Sequence, residues 1–328
     1  MTYFTRILSI SVLLLAGTPE VSAQKFFKFN RFVDSVLTKK YWSADIDTNY
    51  ITRPNTKWTL VGRINVSGAK LKTDGVEDGR HFNSEMKADY KSTVSVGVSY
   101  LGLSLNLSLN PGKLAGKYRD YELNFRSYGR RFGFDVAYQD ARNFTGWHEF
   151  EGQERMDLPA DVLSLKTLNA NAYYAFNPRR FSYPAAFAHS YIQRRSAGSF
   201  LLAVSGQGQK ARVNGTILSV LSVTNIGLGA GYGYNYVPAD GWLLHLSALP
   251  TFIVYSNTSL KVDNNRIPLN YHFPEVIITG RGAVVKQIGR NKFAGISMVF
   301  NFTNIGSEDR LSVSNTKWCT RLSFGFRL

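Results

Sequence analysis

Trp318-Cys319-Thr320-Arg321-Leu322-Ser323-Phe324-Gly325-Phe326-Arg327-Leu328 alternates with a period of two. Trp318, Thr320, Leu322, Phe324, Phe326 and Leu328 share one face; Cys319, Arg321, Ser323, Gly325 and Arg327 share the other. Successive side chains of a strand point to opposite faces, so one face is apolar and aromatic while the other carries two arginines among small residues. Such a mixture fits poorly in a sandwich core and suits the lumen of a barrel whose outer face meets lipid.

The same pattern recurs upstream. Trp58, Leu60, Ile64 and Val66 alternate with Thr59, Arg63, Asn65 and Ser67, and Val94, Val96, Val98 and Tyr100 form another apolar face. At Leu101 the phase flips beside Gly102, which reads as a tight turn or bulge. Tyr121-Leu123-Phe125 and Phe132-Phe134-Val136-Tyr138 flank Ser127-Tyr128-Gly129 as a hairpin. Further strands are expected at 168–176, 200–204, 226–236, 242–254, 278–284 and 294–302. Gly227, Gly229, Gly231 and Gly233 leave one face of the 226–236 strand bare, which demands a close-packed or filled interior. The expectation is an all-β chain: a closed antiparallel transmembrane β-barrel over 57–328 with about twelve strands, ten and fourteen being the neighbouring even counts. If both ends of the barrel face the periplasm, the long loops follow odd-numbered strands, and Asn143 to Asp161, polar and charged, fits one of them.

The first 23 residues read as a cleaved export signal: Arg6, an apolar run from Ile7 to Ala16, and Val21-Ser22-Ala23 as the cleavage site. That run is half the roughly 20 residues a spanning helix needs. No cysteine lies near the cleavage site, so no lipid-modified amino terminus is expected. Downstream, no stretch approaches 18 uninterrupted apolar residues despite 44% hydrophobic composition, which argues against a helical membrane protein. The location implied is the outer membrane of a Gram-negative cell. Residues 24–56 do not alternate; Phe29, Phe32, Val33, Val36 and Leu37 keep helical spacing beside Lys28, Arg31, Lys39 and Lys40. They read as a short amphipathic helix, either a periplasmic cap or a plug inside the barrel.

The formal net charge is +16. On this export route nucleic acid is not an expected partner. The partners expected are outer-membrane lipids, including lipopolysaccharide, whose phosphates basic rims would neutralise, and the barrel-assembly machinery, which reads a terminal strand like 318–328. A lumen lined by arginines would instead favour anions; Arg63, Arg126, Arg321 and Arg327 are placed inward by strand phase. No metal-ligand spacing is seen, no cofactor is implied, and lone Cys319 has no internal disulfide partner. His81 and His148 fall in or near expected loops, His272 follows a polar turn, and none sits in a nucleophile motif.

The most distinctive stretch is Phe181 to Ser199 (FSYPAAFAHSYIQRRSAGS). If it continues the phase of Phe200, Leu202 and Val204, then His189, Tyr191, Gln193, Arg195 and Ser199 point inward. That column could fill a narrow barrel as a hydrogen-bonded network, bind an anionic head group, or supply a His189 pair with Ser190 or Ser199 for hydrolysis. Together with Asp47-Thr48-Asn49-Tyr50-Ile51, Pro54 and Trp58, it resembles the bacterial family called domain of unknown function 4421. The resemblance implies an outer-membrane barrel without an established activity and adds no catalytic residues. Three functional readings stay open: a structural, lipid- or small-solute-interacting barrel, a lipid-modifying barrel enzyme, and a small anion-selective pore. A soluble periplasmic β-protein is the alternative to all three.

Overall fold

The computed structural model describes Ser35 and residues 45–77, 79–100, 103–109, 121–142, 144–159, 162–213, 219–262, 265–269, 275–307 and 311–328. Ile46–Leu328 forms one compact unit. The amphipathic helix expected between Phe29 and Leu37 lies outside the described residues, Ser35 excepted.

In chain order the elements are β1 (Ile51–Thr52), β2 (Trp58–Glu77), β3 (Arg80–Ala88), β4 (Lys91–Tyr100), β5 (Leu103–Leu109), β6 (Tyr121–Tyr128), β7 (Phe132–Ala141), β8 (Phe144–Phe150), β9 (Met156–Leu158), β10 (Leu163–Ala175), α1 (Tyr183–Phe187), β11 (Ile192–Gln193), β12 (Ala197–Val213), β13 (Ser219–Tyr236), β14 (Trp242–Val262), β15 (Asn265–Leu269), β16 (Val276–Ile288), β17 (Lys292–Ser307) and β18 (Leu311–Arg327). β2 pairs with β4 through Trp58–Ser67 and with β3 through Lys70–Glu77, so β3 and β4 act as one strand interrupted at Asp89-Tyr90. Counted this way, twelve long strands follow one another in one antiparallel sheet, from β6 through β7, β10, β12, β13, β14, β16, β17, β18 and β2 to β3/β4 and β5. The alternation in the sequence therefore located every one of them. The phase flip expected at Leu101 and Gly102 lies outside the described residues, and Tyr100 and Leu103 on either side of it pair.

The sheet curls. Strands lie about 4.8 Å apart, so a flat sheet would hold β10 and β18, six positions apart, about 29 Å from each other. Yet Lys317 Nζ on β18 donates to Thr167 Oγ1 on β10 at 2.8 Å, Asn315 on β18 reaches Gln209 on β12 at 3.3 Å, and Arg281 on β16 reaches Asp135 on β7 at 3.2 Å.

The two faces are inverted relative to a water-soluble protein. Asn65, Ser95, Thr167, Asn225, Asn235, His245, Thr251 and Arg327 are buried inside, whereas Ile64, Val96, Phe200, Leu228, Leu246 and Leu322 are exposed outside. Leu246 is 73% exposed and Phe200 70%. At the end of the sheet where Trp58 and Leu328 exchange backbone hydrogen bonds (3.0 and 2.8 Å), outward aromatic rings line the strand ends: Phe132 against Tyr174 (4.9 Å), Tyr174 against Phe176 (5.0 Å), Phe200 against Tyr232 (5.2 Å), Phe324 against Phe326 (5.0 Å) and Trp58 against Tyr100 (4.4 Å).

Two expectations about connections need correction. Asn143 to Asp161 is not an open loop: it carries β8 and β9, which pair with each other, and β8 pairs with β3, so the segment extends the sheet. His81 and His148 thus lie on strands β3 and β8 rather than in loops. The longest described connection, 176–196, follows an even-numbered long strand and lies at the end that carries Trp58 and Leu328. The alternation does not run through it, because Pro184 cannot donate to a ladder and Ser182 caps a helical turn instead, its Oγ accepting from Ala185 N at 3.2 Å.

Candidate functional site

Residues 177–196 fold onto the inner, concave face of the curled sheet as a plug. Phe181, Ser182, Tyr183, Ala185, Ala186, Phe187, Ala188, His189, Ser190, Tyr191 and Gln193 are all buried. The bare glycine face of β13 makes room for it: a side-chain carbon at Gly233 would stand 3.0 Å from Phe181 Cζ. A strap from the amino-terminal side holds the plug from outside. β1 pairs with β11, Ile51 with Gln193 and Thr52 with Ile192, and Arg194 N donates to Tyr50 O at 2.7 Å. Asp47 turns the strap by accepting from Asn49 N (3.1 Å) and from Arg180 Nε (3.1 Å). Desolvation opposes the charge on Asp47, but the Asn49 amide and Arg180 prevail and hold the carboxyl below its usual value. A plug is therefore built by 177–196 and strapped by 47–52.

One hydrogen-bonded chain joins plug and wall. Gln193 Oε1 accepts from Ser182 N (3.0 Å) and Asn235 Nδ2 (2.9 Å), and its Nε2 donates to Arg180 O (2.6 Å) and Arg195 O (2.9 Å). Asn235 Nδ2 spends its second hydrogen on Ser182 O (3.0 Å), so Asn235 Oδ1 must accept from His245 Nδ1 (2.7 Å). His245 Nε2 then accepts from Ser247 Oγ (3.0 Å). Ser247 in turn accepts from the Tyr183 hydroxyl (3.2 Å), whose oxygen accepts from Arg281 Nη1 (3.2 Å). Arg281 Nη2 pairs with Asp135 Oδ2 (3.2 Å), and Asp135 Oδ1 accepts from Asn171 Nδ2 (3.0 Å). Aromatic packing surrounds the chain: Tyr183 lies 4.6 Å from Tyr173, 5.2 Å from Phe187 and 5.1 Å from His245.

Ser247, His245 and Asn235 have the connectivity of a nucleophile, a base and an orienting group. They lie under the plug, 4%, 4% and 0% exposed, and the Ser247 oxygen already accepts from Tyr183. With the plug seated the trio is a latch rather than a reaction centre.

The candidates from sequence separate. His189 ends α1 at φ 57°, a left-handed conformation that costs a non-glycine residue roughly 1 kcal/mol or more. It is held by its N–H on Pro184 O (2.7 Å), by Arg327 Nε on its carbonyl (3.0 Å), and by its ring 4.3 Å from that of Phe293. The hydroxyl facing His189 Nε2 is Ser323 of β18 at 3.5 Å. Ser199 Oγ instead donates to Phe200 O (2.8 Å) and accepts from Asn177 N (3.0 Å). The expected His189 pairing with Ser199 is not formed, and Ser190 is buried in the plug. Arg195, expected inward, is exposed, because the strand phase that predicted it stops short of the plug. Tyr191 and Gln193 are buried, though in the plug rather than in the main sheet, Gln193 on the two-residue β11. Arg327 is 1% exposed and donates to His189 O and Gln287 Oε1 (2.8 Å). Arg63 is half-buried on the inner phase of β2, and Arg126 stands opposite Asp135 in the β6/β7 register.

Beyond the plug lies a polar chamber of about 140 Å³, lined by Asn169, Asn171, Gln207, Asn301, Lys317 and Arg321 among others, with Arg281 and Asp135 between it and the plug. Farther along, Met86, Phe144, Leu163, Leu165 and Ala211 form an apolar cluster on the inner face. Sequence reading missed Tyr183, Asn235, His245, Ser247, Arg281 and Asp135. The available signal was parity: His245 and Ser247, two residues apart on β14, necessarily share the inner face.

No curated protein matches the sequence. Among solved structures the chain is similar to the outer membrane protease OmpT from Escherichia coli (8% identity, 84% of this chain and 97% of that chain, TM-score 0.48). It is also similar to the outer membrane protein OprG from Pseudomonas aeruginosa (9%, 84% and 97%, TM-score 0.29) and to the translocator domain of the autotransporter NalP from Neisseria meningitidis (9%, 95% and 100%, TM-score 0.27). A family model described as "Domain of unknown function (DUF4421)" matches residues 45–328.

Proposed function

The chain belongs to the family described as domain of unknown function 4421, and from that premise we propose that it is a closed twelve-stranded outer-membrane barrel, plugged from its own chain, that does not conduct ions. Three observations support the membrane. The outer face is apolar and the inner face polar, which water would penalise and lipid favours. An aromatic belt rings one end, and the outward Tyr90–Trp318 pair (5.7 Å) stands toward the other. Phe326 and Trp318 are eight residues apart, about 26 Å along the strand and about 20 Å across a bilayer at a tilt of about 40°, near the height of an outer-membrane apolar band. Closure is supported by the ends of the ladder, since β5 and β6 come within 8 Å between Cα atoms.

The observation that carries the non-conducting reading is the chain from Gln193 to Asn171, which ties the plug to β7, β10, β13, β14 and β16. A pore needs a continuous water path, and here Arg327, one of the four arginines expected to line one, is engaged beneath His189, while Arg281, which sequence reading missed, is held between Tyr183 and Asp135. The reading that follows is structural, with the polar chamber as a lumen space offered to a small solute. Refolded protein in a planar bilayer is expected to give no steady current; anion-selective steps would overturn this. The membrane reading has its own test. Leu246→Arg is expected to destabilise the bilayer-folded state by about 2–4 kcal/mol, whereas an exposed leucine of a soluble protein would tolerate the change within about 0.5 kcal/mol.

A further inference from the structure

The net charge is not spread evenly over the two ends. At the end bearing Trp58 and Leu328, segments 46–57, 129–131, 177–196, 237–241 and 286–292 together hold eleven Lys and Arg against two carboxylates, Asp47 and Asp240. The strand ends and connections toward the other end, 70–91, 110–120, 140–166, 209–219, 257–275 and 304–312, hold sixteen basic and sixteen acidic residues. Residues 24–45 cannot neutralise the collar from within the chain, since they carry five basic and two acidic groups. The collar lies next to the aromatic belt: Lys286 Nζ is 4.8 Å from the Trp242 ring centroid and Lys292 Nζ 6.0 Å from that of Phe326, while exposed Arg131 adjoins exposed Phe132. Aromatic belts sit at headgroup depth, so the charges stand at the level of lipid phosphates. Arginine predominates in the plug's outer rim at 179, 180, 194 and 195, and its planar fork suits two phosphate oxygens at once.

The geometry points to this collar as a docking surface for anionic phospholipid headgroups of the leaflet at that end, an assignment that rests on the membrane reading above. The full chain, folded into phosphatidylcholine vesicles containing one-fifth phosphatidylglycerol and released for native mass spectrometry, is expected to retain phosphatidylglycerol about fivefold or more above its bulk proportion. The variant Lys57→Gln/Arg131→Gln/Arg290→Gln/Lys292→Gln changes exposed side chains only and is expected to carry both lipids in bulk proportion. Lys210→Gln/Arg212→Gln/Lys261→Gln, exposed at the opposite end, is expected to keep the enrichment. Inserted wild type without enrichment overturns the proposal, as does equal loss in both variants, which would make it a property of total charge. Salt-sensitive capture of poly-glutamate without lipid enrichment would reassign the collar to an acidic protein segment. Failure to insert at all would count against the membrane reading instead.

Discussion

Asp135→Leu is expected to destabilise the folded chain by about 3–5 kcal/mol. Asp135 Oδ2 lies 3.2 Å from Arg281 Nη2, and the Arg281 side chain is 5% exposed. Removing the carboxylate leaves a guanidinium shut in the lumen with only the Tyr183 hydroxyl on its other arm, and uncompensated buried charge is among the largest single-residue penalties known. The double variant Asp135→Leu/Arg281→Met removes both charges and is expected to recover most of the loss, to within about 1 kcal/mol of wild type, because an ion pair and its apolar replacement often differ little. Urea titrations of micelle-folded protein, followed by tryptophan fluorescence, measure all three. A single variant no worse than the double would show that water reaches Arg281 freely, and the plug would then not be tight.

Tyr183→Ala should cost about as much, about 3–5 kcal/mol, since the residue is fully buried and its ring packs on Tyr128, Tyr173, Phe181, Phe187 and His245. Tyr183→Phe keeps the ring and strands Ser247 and Arg281, for about 1–3 kcal/mol. The two variants separate packing from the hydrogen-bonded chain. Trypsin supplies a second readout. Arg179, Arg180, Arg194 and Arg195 flank the plug and are exposed on its rim, whereas 181–191 are buried; a protease needs several residues beside the cut drawn out extended, so Tyr183→Ala should be nicked at these arginines much faster than Tyr183→Phe. Equal rates in both would mean that the ring does not seat the plug.

Strand positions were readable from sequence because each obeys one local rule. Leu322, Phe324 and Phe326 alternate with Ser323, Gly325 and Arg327 whatever the rest of the chain does, and each face keeps its sign, apolar outside and polar inside. The same rule failed at Phe181 to Ser199. There the apolar residues Tyr183, Ala186 and Phe187 pack on the inner side of the curled sheet, so hydrophobicity no longer distinguishes outer from inner face, and Pro184 with the Ser182 cap turns the backbone away from a strand. Arg195 was placed inward by a phase that had already ended.

Sequence by itself determined the twelve long strands, their inner and outer faces, the basic balance and the family resemblance, since all of these are properties of neighbours along the chain. Tertiary structure alone decided that 177–196 fills the inner side of the curled sheet, that 47–52 straps it, and that Asp135 meets Arg281 across 146 residues. These contacts join segments with no shared period. Their partners are chosen by which side chains the curled sheet brings face to face, and that depends on the sheet's curvature and register, which no local pattern encodes.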